Sequence, residues 1–173
     1  VTVVVDSFGL SNSVVAAYKS LGVDFIKPTS STAPTILEVQ TITGVGGLAP
    51  LLKLVPNNPA EPISISFNPS ITSEFDYLAN YSVSLKNAGV QSITSAGDFS
   101  LTVSQLSRLL SAGSSGLSLD QSKVVTVNIS NAQDLAYVLQ NAGVVSTFGV
   151  DKIALGSSVS TLSIANATTL LTN

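Results

Sequence analysis

The stretch "SVSLKNAGVQSI", residues 82 to 93, joins the end of an apolar helical stripe to a glycine and then to a β-branched run. Its core recurs as "AYKSLGVDFI" at 17 to 26, "RLLSAGSSGL" at 108 to 117 and "YVLQNAGVVS" at 137 to 146. A left-handed residue that closes a helix costs glycine nothing and other residues about 1–2 kcal/mol, so each of these glycines reads as a helix stop. Four stops in 173 residues allow only short helices. In three of the four phrases a Val follows and can begin a strand; the third phrase runs into a Ser-Ser-Gly loop.

A second phrase recurs ahead of the helices. "LTVSQ" at 101 to 105, "VNISN" at 127 to 131 and "LSIAN" at 162 to 166 alternate apolar and small polar residues, then reach a Ser, Asn or Gln able to open a helix. The copies begin 26 and 35 residues apart, a spacing at which each unit can bury its apolar face against a neighbour. The predicted order is strand, cap, helix, glycine, strand. The fold class is therefore α/β, with short repeated strand-helix units either stacked as a solenoid or closed into a compact layered sheet with helices. Crossovers between parallel strands in such units are expected to be right-handed.

The helices are placed by their stripes. Val14, Val15, Tyr18 and Leu21 share one face of "SNSVVAAYKSLG", with Ser11 or Asn12 as cap and Gly22 as stop. In "SITSEFDYLANYSVSLKNAG", Phe75, Leu78 and Leu85 form the buried side, and Ser82 interrupts it. "TVSQLSRLLSAG" offers Leu106, Leu109 and Leu110 before Gly113; "SNAQDLAYVLQNAG" offers Leu135, Val138 and Leu139 before Gly143.

The opening third differs. "VTVVVD" is a strand too uniformly apolar to lie with one face in water, and "VDFIKP" is a second, ended by Pro28. Residues 36 to 42 look strand-like, residues 48 to 54 look like a short helix, and "ISISF" at 63 to 67 resumes strand alternation. Four prolines between 50 and 62 place a boundary near 56 to 62. It separates a strand-rich part with a Pro/Gly-rich loop, residues 1–62, from the repeated units at 63–173 within one continuous folded body.

Composition narrows the chemistry. With 45% apolar residues the chain is too hydrophobic for disorder, and its length suffices to bury about 70% of the unfolded surface. Charged residues make up only 10%, so Ser, Thr, Asn and Gln must carry solubility. A net charge of −3 offers no basic face, which excludes nucleic acid from the expected partners. No apolar run is long enough to span a membrane, and the first residues lack the layout of a signal peptide. Without an initiating Met, the start reads as that of a mature chain or an excised segment.

The absence of His and Cys removes the common nucleophile-base pairs and first-row metal ligands. Neither S-x-x-K nor G-x-S-x-G occurs. Glu74 and Asp76 sit near a helix start, where negative charge suits the helix dipole, and Asp98 and Asp120 lie in turns. Asp151 leads into a strand, and Asp6 is isolated. No catalytic or cofactor-binding residue is assigned, no cofactor is expected, and metal ligands are unknown; any calcium site would have to come from these scattered acids. "GVGGLA" at 44 to 49 meets only the loose form of a dinucleotide fingerprint and reads as a glycine turn. The sequons at Asn80, Asn128 and Asn166 are what chance gives in so Ser-rich a chain.

"LTVSQLSRLLSAG", together with "LKNAGVQSITSAGDFS" before it, resembles the Ala/Gly/Val/Ser-rich repeats of large secreted bacterial surface proteins, adhesin-like chains that sometimes sit beside repeats-in-toxin segments. The resemblance covers residues 80 to 172. It implies an extracellular or cell-surface structural or adhesive module without enzymatic activity, partnered by copies of itself or by neighbouring repeats, and it assigns no functional residue. The alternative is a glycan- or protein-binding domain of a secreted protein, using "TGVGGLAPLLKLVPNN" or Tyr77, Tyr81 and Tyr137; those tyrosines occupy helical positions typical of a core or its edge.

Overall fold

A computed structural model describes residues 1–30, 33–47, 51–112, 116–119, 121–159 and 162–172. Among them the chain is mixed α/β, with nine short strands in three separate three-stranded sheets and seven helices. The first sheet runs β1 (Thr2–Val5), β2 (Phe25–Pro28), β3 (Lys53–Leu54). The second is β4 (Ser64–Phe67), β5 (Ser92–Ser95) and β7 (Ser118–Leu119); the third is β6 (Phe99–Thr102), β8 (Val125–Ile129) and β9 (Lys152–Leu155). Among the described residues all strand pairings are parallel and no barrel closes.

Register relates the strands to sequence spacing. Thr2 pairs with Phe25 and Phe25 with Lys53, Ser64 with Ser92 and Ser92 with Ser118, Phe99 with Val125, and Thr126 with Lys152. Each partner therefore lies 23 to 28 residues further along the chain. Leu101 of "LTVSQ" pairs with Val127 of "VNISN", so these two phrases lie side by side on neighbouring strands. The third copy does not: Val127 pairs with Ile153, and "LSIAN" instead opens helix α7 (Ile164–Thr172).

Helices form where a cap and a one-sided stripe coincide. Ser11 caps α1 (Asn12–Ser20), and Gly22 follows at φ 77°. Thr102 caps α4 (Val103–Ser111) through a capping box with Gln105, and Asn131 caps α5 (Ala132–Gln140) through Asp134. α3 (Thr72–Asn87) buries Phe75, Leu78 and Leu85 and bends at Tyr81, whose φ and ψ are −110° and 15°. Phe67, Phe75 and Phe99 form a ring triangle with centroids 5.1 to 6.3 Å apart, joining β4, α3 and β6.

Five local expectations are corrected. Residues 36 to 42 are helical, in α2 (Ile36–Thr43): the Thr35–Glu38 capping box and left-handed Gly44 outweigh the β-branched composition, and Val39 and Ile42 then share the buried face. Residues 53 and 54 form β3, not the end of a helix. Gly143 lies inside α6 (Ala142–Thr147), where Val145 reaches the core; the stop before β9 is Gly149 at φ 102°. Strand β1 exposes alternate residues, Val4 among them. On α1 only Val15 is fully buried, while Val14 and Leu21, just past its end, are exposed. Gly113 lies outside the described residues.

Hydrogen bonds cross the Pro-rich stretch at 56 to 62: Leu54 N–H donates to Ala88 O at 2.7 Å, and Ser66 N–H to Pro34 O at 2.8 Å.

Candidate functional site

Of the acids singled out from the sequence, Glu74, Asp76, Asp98 and Asp151 each hold part of the fold together, and they do not converge. Glu74 accepts the Asn68 N–H at 2.7 Å, serving the start of α3 where Ile71 offers no side-chain cap. Two residues on, Asp76 faces α4 instead. Asp98 and Asp151 stand just before β6 and β9, the two neighbours of β8. Asp98 accepts the Val124 N–H at 3.0 Å and Asp151 the Val125 N–H at 2.8 Å, so the start of β8 is pinned from both sides. Asp6 is exposed, and Asp120 lies outside the described residues. Among the described residues no three His, Cys, Asp or Glu gather into a metal-binding group.

Asp76 belongs to a polar cluster whose other members, Asn80, Gln105 and Arg108, the sequence reading did not single out. Arg108 donates to Asp76 Oδ1 at 2.8 Å and to Asn80 Oδ1 at 2.7 Å, and Gln105 Nε2 donates to the same Asp76 oxygen at 3.2 Å. Gln105 also accepts from the Thr102 N–H, so one side chain both caps α4 and ties it to α3. The cluster is part-exposed and internally satisfied, which suits a clamp between helices. The T-x-x-Q at 102 to 105 is the only sequence sign of it.

The glycine turn and the tyrosines meet. Tyr77 donates to Val45 O at 2.7 Å, and a Cβ on Gly46 would lie 2.5 Å from Tyr77 Cε2. The ring of Tyr77 thus occupies the space over the turn at 44 to 47. Tyr81 lies against Tyr77 with ring centroids 5.0 Å apart and is part-exposed; Tyr137 is half-buried. Burial, with the Tyr81 phenol adding to it and the Gln40 side chain opposing, pushes the Tyr77 phenol up to about 12. Burial raises Tyr137 as well.

Two concavities are lined by apolar and polar side chains together. One of about 700 Å³ is walled by Phe25, Val45, Leu51 and Leu52, with Lys19, Asp24 and Lys53 at its margin. The other, about 440 Å³, lies beside β9. None of the helices is long and apolar enough to cross a membrane, among the described residues.

No protein-family model matches this chain, and no curated protein does.

Proposed function

We propose that this chain is a non-enzymatic structural or adhesive module of an extracellular or cell-surface protein, built as a solenoid-like stack of strand-helix units. One observation supports the reading: among the described residues each named strand pairs with one 23 to 28 residues along the chain, a spacing at which strand-helix units can stack on their neighbours. The acids support it, since each described partner of Glu74, Asp98 and Asp151 is a backbone N–H. A surface rich in hydroxyls and poor in charge suits contact with like surfaces, where little repulsion keeps copies apart.

The test has two arms. Deleting residues 150 to 173 from a stack leaves a chain that still unfolds cooperatively at a lower temperature, whereas a mutually closed fold loses its transition altogether. Protease treatment of intact producing cells should cleave the chain if it is displayed outside; full protection would refute the location. The glycan-binding alternative draws on Tyr81, and retention on a glycan array that Tyr81→Ala abolishes, with circular dichroism unchanged, would favour it instead.

A further inference from the structure

The inward rows of the third sheet run out at β9. Leu101 and Val127 are 1% and 0% exposed, and the next residue in their row, Ile153, is only half-buried. In the adjacent row Ile129 is 1% exposed while its partner Leu155 is 43% exposed. Both side chains open onto the 440 Å³ cavity, whose other walls include Val138, Val145, Val150 and Leu162. Among the described residues the inward rows end here in part-exposed side chains.

The backbone of β9 states what would extend those rows. Gly156 N–H donates to Ile129 O, and Leu155 is the registered partner of Ile129. The alternation of a parallel ladder then turns the N–H groups of Lys152 and Ala154 toward β8, and those of Ile153 and Leu155, with their carbonyls, toward the free edge. Among the described residues no strand pairs with that edge.

Strand β1 is the complement. Phe25 N–H donates to Val1 O and Thr29 N–H to Val5 O, so Val3 and Val5 bond β2 while the N–H and C=O of Thr2 and Val4 face the open side. Laid parallel against β9, Ile153 N–H meets Thr2 O, Val4 N–H meets Ile153 O, and Leu155 N–H meets Val4 O. That pattern sets Val3 opposite Ile153 and Val5 opposite Leu155. Val3 and Val5 pair with Ile26 and Pro28, both buried, so they belong to the inward face of their own sheet and would extend the two interrupted rows.

We propose that β9 of one copy takes up β1 of a second copy, in parallel and head to tail. The two surfaces differ, so the contact is heterologous and propagates as an open string in place of closing at a dimer. The proposal rests on the stacked-module reading and names its partner.

Sedimentation or light scattering from about 1 μM to about 1 mM, the range of weak to moderate association, reads the outcome. The expected result is a mass that rises with concentration past twice the 17.7 kDa chain. Leu155→Lys blocks the β9 side at a part-exposed position, and Val4→Pro removes a free-edge donor of β1 without touching a β2 bond; each variant alone should stay monomeric. If Val4→Pro fails to fold, Thr2→Pro removes the other free donor. Mixed together, Leu155→Lys and Val4→Pro chains should form a one-to-one dimer and nothing larger. A monomeric wild type across the range, assembly unaffected by Leu155→Lys, or a mixture that grows beyond two would each overturn the proposal. Graded truncation behaviour alongside a monomeric wild type would leave the stack standing and remove only the docking.

Discussion

The Ser82 hydroxyl accepts the Leu117 N–H at 2.8 Å inside the core, across 35 residues of chain. Ser82 is the one polar residue in the buried stripe of α3, and Leu117 stands just before β7. What looks in the sequence like a flaw in an apolar face is the acceptor for a backbone group that has no strand partner at that point. Ser82→Ala leaves that donor buried without an acceptor, at a cost of about 1–3 kcal/mol. Urea denaturation measures it; a loss well under about 0.5 kcal/mol, the lower end for a made hydrogen bond, would mean that the amide has found another partner.

Two glycines that look alike in sequence should respond differently to alanine. Gly22 and Gly89 both follow a helix at positive φ, 77° and 102°. A Cβ on Gly22 meets nothing within 4 Å, so Gly22→Ala should cost about 1–2 kcal/mol, the conformational penalty alone. A Cβ on Gly89 would fall 2.0 Å from Leu54 O, in the very place where Leu54 N–H bonds Ala88 O. Gly89→Ala must therefore also displace backbone, and its thermal midpoint should drop well below that of Gly22→Ala. Equal midpoints would show that the 54/88 contact yields freely.

High pH should single out Tyr77. Below about pH 10 its phenol is protonated in the folded and unfolded chains alike. Above that, the unfolded chain ionises while the buried phenol holds its proton up to about 12, so stability falls through this window. Tyr77→Phe should flatten that fall while weakening the fold at neutral pH by about 0.5–1.5 kcal/mol through loss of the bond to Val45 O. Thermal melts of both proteins between pH 9 and pH 12 compare the slopes; parallel slopes would place the alkaline loss elsewhere.

Local signals carried the sequence reading as far as they could. Ser11, Asn131 and the Leu106/Leu109 and Leu135/Val138 pairs announce α1, α4 and α5 because cap and stripe are encoded within one turn of each other. The helix at Ile36–Thr43 was equally present in T-x-x-E followed by glycine, but its Ile, Val and Thr content argues for a strand, and composition is the weaker witness when both ends are capped. Gly143 shows the opposite limit. Its phrase matches that of Gly89, yet the chain after Asn141 turns helical again because Val145 finds a place in the core, a fact no neighbouring residue records. Partners set by the third dimension, such as Arg108 with Asp76 or the row from Leu101 to Ile153, have no signature at either end.

The narrow band of separations between paired strands has a consequence for how the molecule comes into being. Among the described residues no named strand pairs with one more than 28 residues downstream, and the isolated Thr35–Ser66 bridge spans 31, so the loop that must close before each pairing stays short. As the chain emerges from a ribosome or through a pore, β1 can be met by β2 and then β3 while β9 is still unmade. Assembly can proceed in the order of emergence, the leading end ordered before the trailing end exists.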